Sequence, residues 1–480
     1  MSTIDLPSAG HDPDLPPRST DAQSGGSSLR KVGAASLLGT TIEYYDFFVY
    51  GTAAALVFPK VFFPDVSPAM GTLASFATFG VAFFARPVGS ILFGHFGDII
   101  GRKRTLVWTL LIMGLSTVFI GFLPGYDTGA FGFFENGIGF WGPALLVAMR
   151  FLQGLALGGE WAGATLLTAE YAPPKQRGRM AVYPQLGPAC AFFLASGTFF
   201  VVALTVGDTS DTFINYGWRF PFIASLLLVI IGLWIRLSVQ ETPVFKEHQR
   251  TRSTASAREK LPFAAAIRSQ WRQILIAGLA MSTVFTMFYT GSAFMTSYGS
   301  TTLGFSRTMI LGCGMIAAVV LGFVTAAAAI YSDRVGRKKV IAAAYAATVV
   351  WSLILYPLVD TGSPILFLVA VVVTLSVYGV ANGPAGALLP EMFESRFRYT
   401  GAGLSYNLGG IFGGAIPPLI AASIIANHGS IWVGVLLSGI SAISLLCVLA
   451  LPETKDNDLN HSDLHESDAT NKVAETVDHR

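Results

Sequence analysis

Glu43 and Asp46 stand three residues apart in TTIEYYDFFVYG (40–51), inside a run otherwise apolar enough to cross a membrane. On a helix this spacing puts both carboxylates on one face, extended by Gly39 and Tyr50. A charge at the centre of a bilayer helix costs about 2.5–3.5 kcal/mol on insertion scales, so intramembrane acids are functional by default. The chemistry open to a buried carboxylate is to bind and release a proton: burial favours its neutral form and a nearby cation its charged form. Counted from Lys31 and Pro59, both acids fall near mid-depth. The cations at hand are Arg86, in FFARPVGS, and Arg150, at the head of RFLQGLALGG. A guanidinium stays protonated in any such site, so each is fitted to pair an acid or to hold a substrate carboxylate in a two-pronged grip. Gln153, Gly154 and Gly158 share the face of Arg150. Glu160 lies about 15 Å further along that helix, too far for a direct pair, and is a candidate gate or second proton site. The alternatives are a static ion pair that only locks the first helix and arginines that only bridge helices.

The elements that must position these groups are spanning helices. The chain has 480 residues, 52% hydrophobic and only 12% charged, with a mean hydropathy of +0.57. Soluble chains carry roughly a quarter of charged residues, so this is an integral membrane protein. Runs of about 20 mostly apolar residues, the length that a spanning helix needs, begin near residues 34, 70, 105, 142, 180, 218, 273, 306, 338, 363, 400 and 430. That predicts an all-α protein of twelve transmembrane helices. Basic stretches follow the second, fourth, sixth, eighth and tenth runs, so by the positive-inside rule that side and both termini are cytoplasmic. The longest and most charged connection, 241–272, reads as a cytoplasmic linker between a first half, 34–240, and a second, 273–452. The halves repeat: GHFGDIIGRKR (94–104) returns as AIYSDRVGRKK (329–339), each after the second run of its half.

GxxxDxxGRxx, matched by Gly94, Asp98, Gly101 and Arg102, resembles the loop motif of the major facilitator superfamily of secondary transporters. The strings IEYYDFFVYG, FFARPVGS, RFLQGLALGGEWAGA and YGVANGPAGALLPEMF resemble its metabolite:proton symporter family over nearly all of 34–452, nearest the shikimate-transporter-like and proline/betaine-transporter-like branch. The resemblance implies two pseudo-symmetric six-helix halves and import, with protons, of a small organic acid such as shikimate, 2-oxoglutarate or an aromatic acid; a proline or betaine symporter is the alternative. It also implies that Arg150, in the fourth-span motif, works in proton coupling with a first-span acid. In the second half the polar candidates are uncharged: Tyr289, Tyr378, Asn382, Tyr406 and Asn407, which with Tyr45, Arg86 and Gln153 make the expected substrate contacts. Asp98 with Arg102, and Asp333 with Gly336 and Arg337, are expected to latch the halves together at the cytoplasmic side, aided by the positive end of a facing helix.

Other classes find little support. A net charge of +2 gives no reason to expect nucleic acid. Cys190, Cys313 and Cys447 all sit in apolar runs, as packing thiols and not as metal ligands. No enzyme activity, metal or cofactor is expected, and a monomer in a bacterial inner membrane is. Exporters of the superfamily carry GPxxGG in the fifth span; here Gly187 and Pro188 are followed by Ala191 and Phe192, which disfavours export. Residues 1–33 read as a disordered cytoplasmic tail without a signal-peptide core, and 453–480 as an acidic cytoplasmic tail with no sustained heptad.

Overall fold

The computed structural model describes residues 25–100, 102–131, 134–158, 160, 163, 165–166, 172, 176–207, 210–238, 262–394 and 397–455; within these, the side chains of 25–32, 94–95, 97–100, 102–103, 238, 262–266 and 426 are left aside. Twelve long helices form: α1 Gly25–Leu56, α2 Pro68–Ile100, α3 Arg102–Phe122, α4 Trp141–Leu157, α5 Arg177–Val206, α6 Phe213–Leu237, α7 Ile267–Thr301, α8 Arg307–Val335, α9 Arg337–Val359, α10 Pro364–Met392, α11 Arg398–Ile425 and α12 Ile431–Ala450. Ten are long and apolar enough to cross a membrane by themselves. The other two are α1, which carries Glu43 and Asp46, and α4, shorter as described. Their alternating direction puts every basic stretch among the described residues at one end of the bundle, here called the basic end.

The expected halves are visible in the packing. In the first, α1 packs on α5, α2 on α4 and α3 on α6; in the second, α7 packs on α11, α8 on α10 and α9 on α12. Each pair recurs six helices later, as a duplicated unit requires. The halves meet along α5 with α8 and α2 with α11, again related by the repeat, while α1 faces α7 at the centre. Two π-helical turns, Thr290–Phe294 in α7 and Ile411–Ala415 in α11, lie on this seam, where Gly51 and Gly80 of the first half come up against Ala293 and Ala415. A single inserted residue of this kind re-aims the side chains that follow it.

Some sequence boundaries shift. Helix α1 begins at Gly25, inside the expected tail, and a helix begins at Pro262, inside the expected linker, breaking at Gln270 before α7 proper. Residues 1–24, 239–261 and 456–480, which hold the rest of the tails and linker, lie outside the described residues. At the end opposite the basic loops, β1 Thr128–Ala130 and β2 Phe134–Asn136 form a hairpin between α3 and α4. Arg219, fully buried, ties it down by donating to the carbonyls of Gly121, Gly129 and Asn215, each at 3.1 Å, and of Leu123 at 2.5 Å.

The α2–α4 contact explains the glycines that follow Arg150. A Cβ on Gly154 would sit 2.4 Å from the Ala82 carbonyl oxygen and one on Gly158 2.0 Å from that of Arg86, so only glycine allows backbone to touch backbone here. Gly154→Ala should therefore destabilise the fold by about 1–3 kcal/mol, the usual cost of overpacking. Gly439→Ala, where a Cβ meets nothing within 4 Å, should be neutral or slightly stabilising. Thermal unfolding of the two purified variants checks the contrast; equal midpoints would contradict it.

Candidate functional site

Helix α1 has two working faces. One meets the second half, with Phe47 against Tyr289, Phe48 against Phe288 and the Tyr44 hydroxyl bonded to that of Tyr406, while Phe79, Phe83 and Phe192 of the first half pack on the same two phenyl rings. The other, carrying Glu43, Asp46 and Tyr50, turns into the first half. Gly51, Phe47, Phe48, Phe79, Phe192, Tyr289 and Ser292 line a narrow gap between the halves, too constricted to hold a water molecule. The halves touch on both sides of it, at Asp333 against the start of α5 and at Phe76 against Phe294. The state is occluded.

Asp46 is buried, and neither carboxyl oxygen has a hydrogen-bond partner. Arg150 is fully buried beside it, with its guanidinium carbon 3.9 Å from the Phe47 ring centre and 4.1 Å from that of Tyr50. Its Nη1 donates to Gln153 Oε1 at 3.0 Å, and Gln153 Nε2 donates to Thr117 Oγ1 at 2.7 Å. Its Nε and Nη2 find no acceptor. The two charges feel each other, yet no ion pair joins them. Arg86 stands 4.6 Å from the same Phe47 ring and 4.5 Å from Phe83, with Nε unpartnered. The Tyr289 hydroxyl is likewise buried and unpartnered.

Glu43 departs from the expectation of a mid-depth acid served by Arg86 or Arg150. Its Oε1 accepts from Arg236 Nη2 at 3.1 Å, and Arg236 Nη1 reaches Glu160 Oε1 at 3.0 Å. Arg236 lies in the last turn of α6 and also donates to the Leu106 carbonyl near the start of α3, so this cluster is one turn of α1 nearer the basic end than Asp46. Arg236 is not among the residues that the sequence singles out. The signal was an arginine still inside an apolar run, long enough to reach back into it.

The expected substrate contacts divide. Tyr45 lies apart from the gap: its hydroxyl donates to the Pro221 carbonyl at 3.1 Å and meets Thr198 at 3.3 Å, inside the first half, because α1 turns that face toward α5 and α6. Gln153 is also turned away, its amide used up between Arg150 and Thr117. Tyr378 stacks on Phe288 at 4.5 Å, and Tyr289 lines the gap itself. Asn407, Tyr406 and Asn382 bridge the halves: Asn407 Nδ2 donates to Ser90 at 2.8 Å and to the Gly158 carbonyl at 3.2 Å, while Gln185 donates to the Asn382 backbone and side-chain oxygens. Tyr44, adjacent to Tyr45, is the tyrosine that α1 presents to the seam, and nothing in residue type distinguished the two.

At the basic end the second motif copy is in place. Asp333 accepts from the backbone N–H groups of Gly178 and Arg179, both at 2.9 Å, so it caps the first turn of α5 across the seam. Arg337 pairs with Asp333 at 2.8 Å and with Glu391 at 3.2 Å, and Glu391 also faces Arg177 at 3.8 Å. Gly336 adopts φ +113°, leaving room for Glu453, whose Oε1 accepts from Arg337 N. Glu391 and Glu453 were missed; each follows a proline at the end of an apolar run. Gly101 lies outside the described residues, as do the side chains of Gly94, Asp98 and Arg102.

Comparison with known proteins agrees with this geometry. A profile of the sugar (and other) transporter family matches residues 32–464. The inner membrane metabolite transport protein YhjE of Escherichia coli is 42% identical over 438 residues, 90% of this chain and 96% of that one. The shikimate transporter of the same organism is 36% identical over 430 residues (88% and 94%), and its proline/betaine transporter 31% over 459 (94% and 89%). Among solved structures, the partially occluded inward-open conformation of the xylose transporter XylE from E. coli superposes with a TM-score of 0.68 over 90% of this chain and 99% of that one, at 17% identity, a likeness of fold. With a family profile across most of its length and full-length relatives above 30% identity, the chain belongs to the sugar (and other) transporter family.

Proposed function

We propose that this protein imports a small organic acid together with protons across the inner membrane, by alternating access of its halves, with the basic end cytoplasmic. The observation that carries the reading is the pair of buried guanidinium groups that rest against Phe47, a ring lining the aromatic gap. Arg219, equally buried, is satisfied by four carbonyls; Arg86 and Arg150 keep nitrogens without acceptors. A desolvated cation costs several kcal/mol, whereas a cation–π contact returns about 0.5–2. The deficit is what a substrate carboxylate would fill, and the phenyl rings beside the arginines suit a cyclic or aromatic body. A zwitterion such as betaine would bring a cation to a site already positive, which ranks the osmolyte reading second.

Asp46 is the proton carrier in this scheme. Unpartnered in the occluded state, it is neutral when loaded; once it releases its proton, Arg150 is the cation beside it. Asp46→Asn should abolish accumulation against a gradient, because an amide cannot be discharged, while substrate exchange at equal pH persists, since exchange needs no net proton movement. Uptake of labelled shikimate in energised vesicles, competed with 2-oxoglutarate, citrate, benzoate, proline and betaine, names the substrate class. Full accumulation by the Asp46→Asn variant would contradict the scheme.

Asp333 acts as the cytoplasmic latch, since its two bonds to the start of α5 join the halves. Asp333→Asn removes charge-assisted hydrogen bonds of about 1.5–3 kcal/mol, enough to shift the open–closed balance roughly ten-fold or more. A cysteine at Ala181, buried beside Gly386 at this seam and placed in a background lacking the three native cysteines, should react faster with a thiol reagent from the cytoplasmic side when Asp333 is changed. Unchanged reactivity would leave Asp333 without a gating role.

A further inference from the structure

The Glu43–Arg236–Glu160 cluster contains two carboxylates and one guanidinium. Both acids are buried in the first half, and Glu160 also accepts from Thr109 Oγ1 at 2.5 Å. Each Oε1 lies about 3 Å from a different nitrogen of the same guanidinium, which holds the two carboxyl groups side by side. Glu160 Oε2 is buried with no partner. Fully ionised, the cluster would carry one uncompensated negative charge in an apolar setting, which costs several kcal/mol. One proton held between the two carboxyls removes it, the usual solution where two acids share one site. The other titratable groups in reach are Asp46 and Tyr44, on the same helix.

We propose that Glu43 and Glu160, clamped by Arg236, form a second proton site through which Asp46 is discharged to the cytoplasm. The site lies on the way out: Arg236 is in the last turn of α6 and is half-buried, while Asp46 is one turn of α1 deeper. When the site has lost its proton to the cytoplasm it carries a charge of −1 and can accept the proton of Asp46. That transfer makes the site neutral and Asp46 anionic, beside the cation of Arg150. Charge therefore moves between two carboxyl stations on one helix, and each station has its own arginine. Arg236 is a positioning residue, since its fork holds both acids in register; a lysine would offer one point charge in place of two aligned donors.

This inference rests on the proton-coupled reading above, and its first test needs no substrate. Infrared spectra of the purified protein in liposomes should show, near neutral pH, the carbonyl stretch of two kinds of protonated buried carboxyl. Asp46→Asn should remove one. Glu160→Gln, which leaves Glu43 and Arg236 as a balanced pair, should remove the other, and Glu43→Gln should do the same. In vesicles, Glu160→Gln should slow pH-driven shikimate uptake by roughly a hundred-fold, the scale of a lost proton-transfer group, with exchange at equal pH kept. Persistence of the second band in both glutamine variants, or wild-type uptake by Glu160→Gln, would overturn the proposal and leave the cluster a structural ion pair. Loss of the Asp46 band alone from the wild-type spectrum would count against the proton-carrier reading and not against this site.

Discussion

A guanidinium taken out of water must find either a counter-charge or a full set of acceptors, and the rest of this structure follows from how each buried arginine meets that demand. Arg219 meets it with backbone carbonyls and thereby fixes the outer hairpin. Arg337 meets it with Asp333, Glu391 and the Ser332 carbonyl, at the place where the halves close. Arg236 meets it with two acids at once. Arg150 and Arg86 fall short and rest on ring faces instead. The first three are supplied with acceptors by the chain itself, whereas Arg86 Nε and Arg150 Nε and Nη2 have none, and the proposed substrate carboxylate would supply them.

The arrangement also separates two kinds of traffic. The carboxyl groups of Glu43 and Asp46, the proposed proton stations, occupy the face of α1 that turns into the first half, whereas Tyr44, Phe47 and Phe48 on its other face meet α7 and α11. A single helix thus joins the proton groups to the seam. Arg150 couples the faces physically, since its guanidinium lies over both Phe47, which lines the gap, and Tyr50, which hydrogen-bonds Thr78 behind it. Any change in the Asp46 charge acts on the cation that rests against a wall of the gap.

Much of this was legible in the residue pattern. Twelve apolar runs, the basic stretches and the repeat around Asp98 and Asp333 fixed the helices and their pairing, because bilayer thickness and duplication leave few alternatives. Asp46 and Arg150 announced themselves as charges where charges are costly. Depth and facing were harder to read. Arg236 was not singled out because a long side chain travels several ångströms from its backbone, and Tyr45 and Tyr44 differ only in which way α1 is rotated. Glu391 and Glu453 stood at helix ends, where a carboxylate is ordinary, and only the folded chain brings them to Arg337.

The central claim is that the arginine pair at the aromatic gap awaits a carboxylate. Ligand-dependent thermal unfolding of the purified protein tests it most directly, because a ligand that binds only the folded state raises Tm in proportion to the logarithm of its saturation. Shikimate, benzoate, 2-oxoglutarate, citrate, proline and betaine would be compared on the wild type and on Arg86→Gln. The account predicts that at least one organic anion raises Tm, that the effect is lost in the Arg86→Gln variant, and that betaine has none. Stabilisation by betaine and by none of the organic anions would contradict it.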